Sequence, residues 1–112
     1  MLFVSLALFI LAAVFGLMNF MFVIKKKNPP KAIAYTHGTL ALLGIMSIIV
    51  IAMAEPHATP YAALILFILA AMGGLTMFVK SQQKKPIPKA IVIIHPLIGL
   101  LGIIALVAFL VH

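Results

Sequence analysis

The sequence repeats itself: residues 1–54 align with residues 59–112 without a gap, at a constant offset of 58 positions. The two segments share 21 identical residues, which include histidine, glycine, lysine and proline as well as apolar side chains. Shared apolar composition explains matches among leucines and isoleucines, but it does not align one histidine with another. The chain is therefore predicted to consist of two similar halves, each with the same elements in the same order.

Each half contains two long apolar runs, which predict helices at about residues 1–24, 32–54, 61–79 and 90–111. With 66% hydrophobic residues and mean hydropathy +1.35, the chain has too little polar surface to cover a soluble core. Runs of about 20 apolar residues are long enough to cross a bilayer. The predicted fold class is an all-α integral membrane protein, a single four-transmembrane-helix bundle built from two helical-hairpin repeats of the same orientation.

All eight basic residues are lysines, and they lie in two short loops, 25–31 and 80–89. Lysines confined to loops between apolar runs are typical of membrane topology, so no nucleic-acid partner is expected despite the net charge of +7. The positive-inside rule predicts both loops in the cytoplasm and both termini outside, in a bacterial inner membrane. Because the lysines follow the first apolar run instead of preceding it, that run is predicted to be a retained helix and not a signal peptide.

A histidine stands at the same place in each half, six residues after a lysine, in the motif Lys-Ala-Ile-x-x-x-His. These histidines are His37 and His95, and the lysines are Lys31 and Lys89. At about 1.5 Å per helical residue, each imidazole lies roughly 9 Å beyond its lysine, inside the hydrocarbon region. If the second and fourth helices are diagonal in the bundle, the two histidines face each other across its axis. Intramembrane ionisable residues are functional candidates.

Small residues accompany both histidines and leave room for a flat group at the bundle centre. They lie on the histidine helices and on the two intervening helices: Gly16, Gly74, Ala41, Gly44, Gly99 and Gly102. Zinc or copper normally takes three or four protein ligands, whereas haem brings four nitrogens and needs only axial side chains. The sequence therefore favours one haem b with His37 and His95 as iron ligands, and with Lys31 and Lys89 neutralising its propionates.

Other interpretations of the two histidines remain open at this point. In one, each histidine only ties two helices together through a hydrogen bond. In another, the pair binds protons or quinone. His57 and His112 are not related by the repeat, and neither a second haem nor a metal is expected there. The absence of cysteine excludes disulfides and thiolate metal sites.

The combination of four spans, histidines on two of them and facing glycines resembles the small membrane-bound b-type cytochromes that pass electrons between quinols and other carriers. The resemblance rests on His37, His95, Gly16, Gly74, Gly44 and Gly102. It implies an electron-transfer haem protein more than an enzyme with turnover of its own, with membrane lipid around it and a quinone or redox protein as partner. Members of that group often carry two haems on two histidine pairs, whereas one inner pair is present here.

The competing hypothesis is a non-catalytic membrane subunit or scaffold of a larger complex, without a cofactor. Its supporting feature is that almost the whole chain consists of predicted spans and short loops. The sequence leaves open whether the protein forms a homo-oligomer.

Overall fold

The computed structural model describes all 112 residues, which form four long helices joined by short loops. The structure confirms an all-helical fold whose four helices are each long and apolar enough to cross a membrane. A short 3-10 helix lies between the second and third helices. The bounds are α1 Leu2–Ile24, α2 Lys31–Ala54, the 3-10 helix Pro56–Ala58, α3 Tyr61–Gln82 and α4 Lys89–Val111.

Helix α3 ends at Gln82, three residues beyond the end predicted from the apolar run, because polar residues continue a helix as long as no proline interrupts it. Helices α1 and α3 then end alike, with Lys26 and Lys84 both at φ 55°. The amides of Lys27 and Lys85 donate back across the last turn, each over 2.9 Å, as in a Schellman motif. A left-handed lysine costs about 1 kcal/mol where glycine is usual.

The four helices pack in chain order around a common axis. Helix α1 packs along α2 and α3 along α4, while α1 with α4 and α2 with α3 form the narrower contacts. Helices α2 and α4 are therefore diagonal, which is the arrangement in which the two histidines can face each other, and so are α1 and α3. The bundle is 43 Å long and 20 to 23 Å across, which matches a bilayer of about 40–45 Å including its headgroups.

Apolar side chains cover the outside of the bundle, and its buried core is small. Only 15 of the 112 residues are buried, and large apolar side chains such as Leu17 and Met72 are more than 60% exposed. Exposed apolar surface on this scale is typical of helices that face lipid. A helix can face lipid because its backbone N–H and C=O groups are hydrogen-bonded within the helix itself.

Candidate functional site

Two layers of side chains fill the bundle axis, and each layer comes from one diagonal pair of helices. The rings of Phe9 and Phe67, from α1 and α3, stack with centroids 3.6 Å apart and planes 5° apart. The rings of His37 and His95, from α2 and α4, meet with centroids 6.0 Å apart and planes 89° apart. Phe9 contacts α2 at Gly44, seven residues beyond the histidine, so the layers are about 10 Å apart along the axis.

Each imidazole is held by the backbone of a neighbouring helix. Nδ1 of His37 lies 2.7 Å from the carbonyl oxygen of Ala12, and Nδ1 of His95 lies 2.8 Å from that of Ala70. A carbonyl oxygen only accepts, so Nδ1 carries the proton in the neutral form of both rings. The tautomer is therefore the same in both, and the lone pair of each Nε2 is left without a hydrogen bond inside the chain.

Gly16 and Gly74 allow the imidazoles to approach these carbonyl groups. A Cβ atom on Gly16 would lie 2.9 Å from Cε1 of His37, and one on Gly74 would lie 3.0 Å from Cε1 of His95. Any larger residue at these positions would push the ring away from the helix that accepts its hydrogen bond. The contact observed at these two glycines is thus with imidazole, whereas the sequence predicts contact with a porphyrin.

Gly44 and Gly102 contact the phenylalanine layer. A Cβ atom on Gly44 would lie 2.7 Å from the Phe9 ring, and one on Gly102 would lie 2.7 Å from the Phe67 ring. Phenyl rings therefore take the space that the sequence analysis assigns to a flat group at these positions. Sequence reasoning missed Phe9 and Phe67, although they belong to the repeated segment, because the helices are apolar on every side and show no inward face.

Ala41 and Gly99 lie one helical turn beyond the histidines, between the two layers. Ala41 is half-buried, and so is Gly99. A Cβ atom on Gly99 would have no heavy atom within 4 Å, so open space remains beside the fourth helix at this level. Of the five glycines among the predicted small positions, Gly99 is the one at which an added Cβ atom would meet open space.

Lys31 and Lys89 are the first residues of α2 and α4, and both are exposed. No side chain caps the start of either helix. The backbone N–H groups of the first turns therefore add partial positive charge beside the positively charged lysines at this end of the bundle. A cation at a helix N-terminus is unfavourable unless an anion accompanies it. This electropositive edge lies on the side of the histidine layer away from the phenylalanines.

One buried polar atom has no partner, the side-chain oxygen Oδ1 of Asn19. Asn19 lies three residues after Gly16 on α1, towards the lysine end, and Met77 stands at the corresponding position of α3. An unpaired buried oxygen costs about 1–3 kcal/mol. A water molecule or bound group that donates a hydrogen bond would satisfy it.

The outer histidines are not brought to the axis. His57 lies in the 3-10 helix and His112 is the last residue, and both are exposed. No three His, Cys, Asp or Glu side chains come together anywhere in the structure. The two inner imidazoles are the histidine pair whose rings meet at the bundle axis.

No protein-family model, curated protein or solved structure matches this chain. The interpretation of the site accordingly depends on its own geometry and chemistry.

Proposed function

We propose that this protein is a membrane b-type cytochrome, in which His37 and His95 are the axial ligands of one haem b that serves electron transfer. The observation that carries the proposal is the pair of Nδ1–H donors to Ala12 and Ala70. Metal-binding histidines almost always donate their second ring nitrogen to a carbonyl or carboxylate, which orients the ring and makes the other nitrogen more basic. Both inner histidines already have this partner.

The separation of the imidazoles suits a shared metal ion. A metal–imidazole bond is about 2.0 Å, and each nitrogen lies about 1.1 Å from the centre of its ring, so two imidazoles that would share one ion have centroids no more than roughly 6 Å apart. The observed separation is 6.0 Å. The two rings, whose planes are 89° apart, would hold the group through their Nε2 atoms.

The donor set favours haem over a bare ion. No third metal-binding side chain joins the two imidazoles, and zinc or copper would therefore remain under-coordinated. When bound, haem supplies one-electron redox chemistry and four of its own nitrogen ligands. Lys31 and Lys89, with the uncapped helix starts, would neutralise its propionates.

Open space at the level of the histidine layer supports the same group. A Cβ atom on Gly99, one turn beyond His95, would meet no heavy atom within 4 Å. Phe9 and Phe67 close the other side of the layer, so water is excluded from that direction. A site that is closed to water on one side and electropositive on the other suits an apolar ring that carries carboxylate groups.

In the membrane, the bundle axis follows the bilayer normal, and the two hairpins have the same orientation. The contacts that recur 58 positions apart support this arrangement: Gly16 with His37, and Gly74 with His95. Both lysine loops then lie in the cytoplasm, and both chain ends lie outside.

Cysteine labelling is expected to report this topology. The chain contains no cysteine, so Ser81→Cys and Ala58→Cys each introduce a single reactive thiol. A membrane-impermeant maleimide should label Ala58→Cys in intact cells, and should label Ser81→Cys only after permeabilisation. Labelling of Ser81→Cys from outside would reverse the assignment.

The absorption spectrum of the purified protein tests the proposal directly. Protein produced with ample haem and purified under mild conditions is expected to show a Soret band, with one haem per chain by pyridine haemochrome assay. If no haem is bound, the imidazole–carbonyl hydrogen bonds serve only to tie the helices together. The protein is then a cofactor-free membrane subunit or scaffold, which is the function those bonds would favour by themselves.

A further inference from the structure

A small pocket lies at the end of α1, where the chain leaves the helix and enters the first lysine loop. Met21 and Phe22 of the last helical turn line it, together with Lys25 and Lys27 of the loop. Its volume is about 100 Å³, below the roughly 300–1,000 Å³ of sites that enclose a whole small molecule. The pocket therefore suits a single chemical group, and it combines two cationic side chains with two apolar ones.

The backbone turn that ends α1 keeps the two lysines of the pocket together. The amide of Lys25 donates to the carbonyl of Met21 over 3.2 Å, and the amide of Lys27 donates to that of Phe22 over 2.9 Å. Lys26, between them, is left-handed with φ 55°. This conformation folds the loop back onto the last helical turn. Lys25 and Lys27 consequently lie beside the same apolar residues.

The chain supplies no acidic side chain to balance these lysines. Its one acidic residue, Glu55, follows the last residue of α2, while Lys31 begins the same helix. The whole length of the bundle therefore separates the acidic side chain from the end that carries all eight lysines. Cations crowded at one end repel each other and attract anions from outside the chain. The complementary partner of the pocket is an anion.

The apolar side of the pocket indicates which kind of anion it takes. Met21 in its wall is 48% exposed, and Leu17, one turn earlier on α1, is 61% exposed. Exposed apolar surface therefore continues from the pocket along the helix, away from the lysines. A soluble anion makes no use of that surface. A phospholipid does, because its acyl chains lie next to its charged head group.

The corresponding turn at the end of α3 has the same backbone but a different set of side chains. Lys84 is left-handed with φ 55°, and the amide of Lys85 donates to the carbonyl of Lys80 over 2.9 Å. The repeat places Lys80 where the first turn has Phe22, and Gln83 where it has Lys25. The second turn thus keeps two lysines but loses the aromatic wall beside them.

We propose that the pocket at the end of α1 binds the phosphate of one anionic phospholipid, with an acyl chain lying along Leu17. Lys25 and Lys27 pair with the phosphate, and Met21 and Phe22 contact the glycerol backbone. A zwitterionic lipid binds less well, because its head group brings a cation that the two lysines repel. The site uses neither the inner histidines nor the lysines that begin α2 and α4, so it does not depend on haem.

Methyl NMR of the full chain in neutral detergent micelles tests this site, with palmitoyl-oleoyl phosphatidylglycerol as the probe. The methyl signal of Met21, in the pocket wall, should shift and saturate near one lipid per chain. The methyl signal of Met53, at the other end of the bundle and 81% exposed, should not move. An equal shift with phosphatidylcholine of the same chains would assign the pocket to acyl chains alone, and an equal shift with inorganic phosphate would assign it to a soluble anion. Either result, or no shift at all, would overturn the proposal.

Matched lysine variants distinguish this pocket from the general charge of the lysine end. Lys27 and Lys85 occupy the same place in the two turns, so Lys27→Gln and Lys85→Gln remove the same charge. Lys27→Gln should weaken phosphatidylglycerol binding about fivefold, the usual effect of one lysine at a lipid surface. Lys85→Gln should leave the Met21 titration nearly unchanged. Equal weakening by both would assign the binding to overall charge and contradict the proposal.

A gain of binding is expected when the second turn receives the side chains of the first. The double variant Lys80→Phe with Gln83→Lys places phenylalanine and lysine as they stand at Phe22 and Lys25, and it leaves the number of lysines unchanged. Native mass spectrometry in phosphatidylglycerol should then count two bound lipids per chain, where the unaltered protein binds one. If the double variant still binds one, the arrangement of the four side chains does not make the site and the proposal is wrong.

Discussion

Replacing either His37 or His95 with alanine is expected to abolish the six-coordinate haem spectrum. In the proposed site, each imidazole would supply one of two protein ligands. The single variants should bind little haem or show a five-coordinate spectrum, and the double variant should bind none. Absorption and electron paramagnetic resonance spectra of the purified variants measure this. His57→Ala, which changes an exposed residue outside the bundle axis, should match the wild type.

His37→Asn separates ligation from helix tying. The nitrogen of the asparagine amide takes the place of Nδ1 and can still donate a hydrogen bond to the carbonyl of Ala12, but the amide is a poor haem ligand. This variant should keep a thermal stability near that of the wild type and lose the six-coordinate spectrum. If it keeps the spectrum, ligation by His37 is wrong.

Replacing Gly44 or Gly102 with alanine is expected to destabilise the bundle by about 1–3 kcal/mol, the typical cost of overpacking. The new methyl group would lie 2.7 Å from a phenyl ring. That ring cannot retreat, because Phe9 and Phe67 are buried and already stacked at 3.6 Å. Circular dichroism during denaturation of the detergent-solubilised protein measures the change.

The matched controls for this second prediction are Gly38→Ala and Gly99→Ala, on the same two helices. A Cβ atom at either position meets no heavy atom within 4 Å, so alanine should be neutral or should stabilise by up to about 1 kcal/mol through helix propensity. Phe9→Leu should relieve the strain of Gly44→Ala, so the double variant should cost less than the two single changes added together. Equal stability of Gly44→Ala and Gly38→Ala would contradict the packing described above.

Local sequence was sufficient for the helices and their order. Long apolar runs that end at prolines and lysines leave the helix as the only element that satisfies its own backbone in lipid. The end of α3 is an exception, because hydropathy falls at Lys80 while the helix continues to Gln82. Hydropathy reports the extent of the apolar surface, whereas hydrogen bonding decides where a helix ends.

The pairing of the two histidines was also accessible from the sequence, since equal spacing from Lys31 and Lys89 puts both at one depth. What the sequence by itself determined about this protein is therefore the number of helices, their chain order and the position of each histidine along its helix. Only the tertiary structure decided which face of each helix turns inward, and with it the contact of Gly16 with imidazole and of Gly44 with phenyl. The physical reason is that a helix apolar on every side has no preferred face in lipid, so shape complementarity between neighbouring helices selects one.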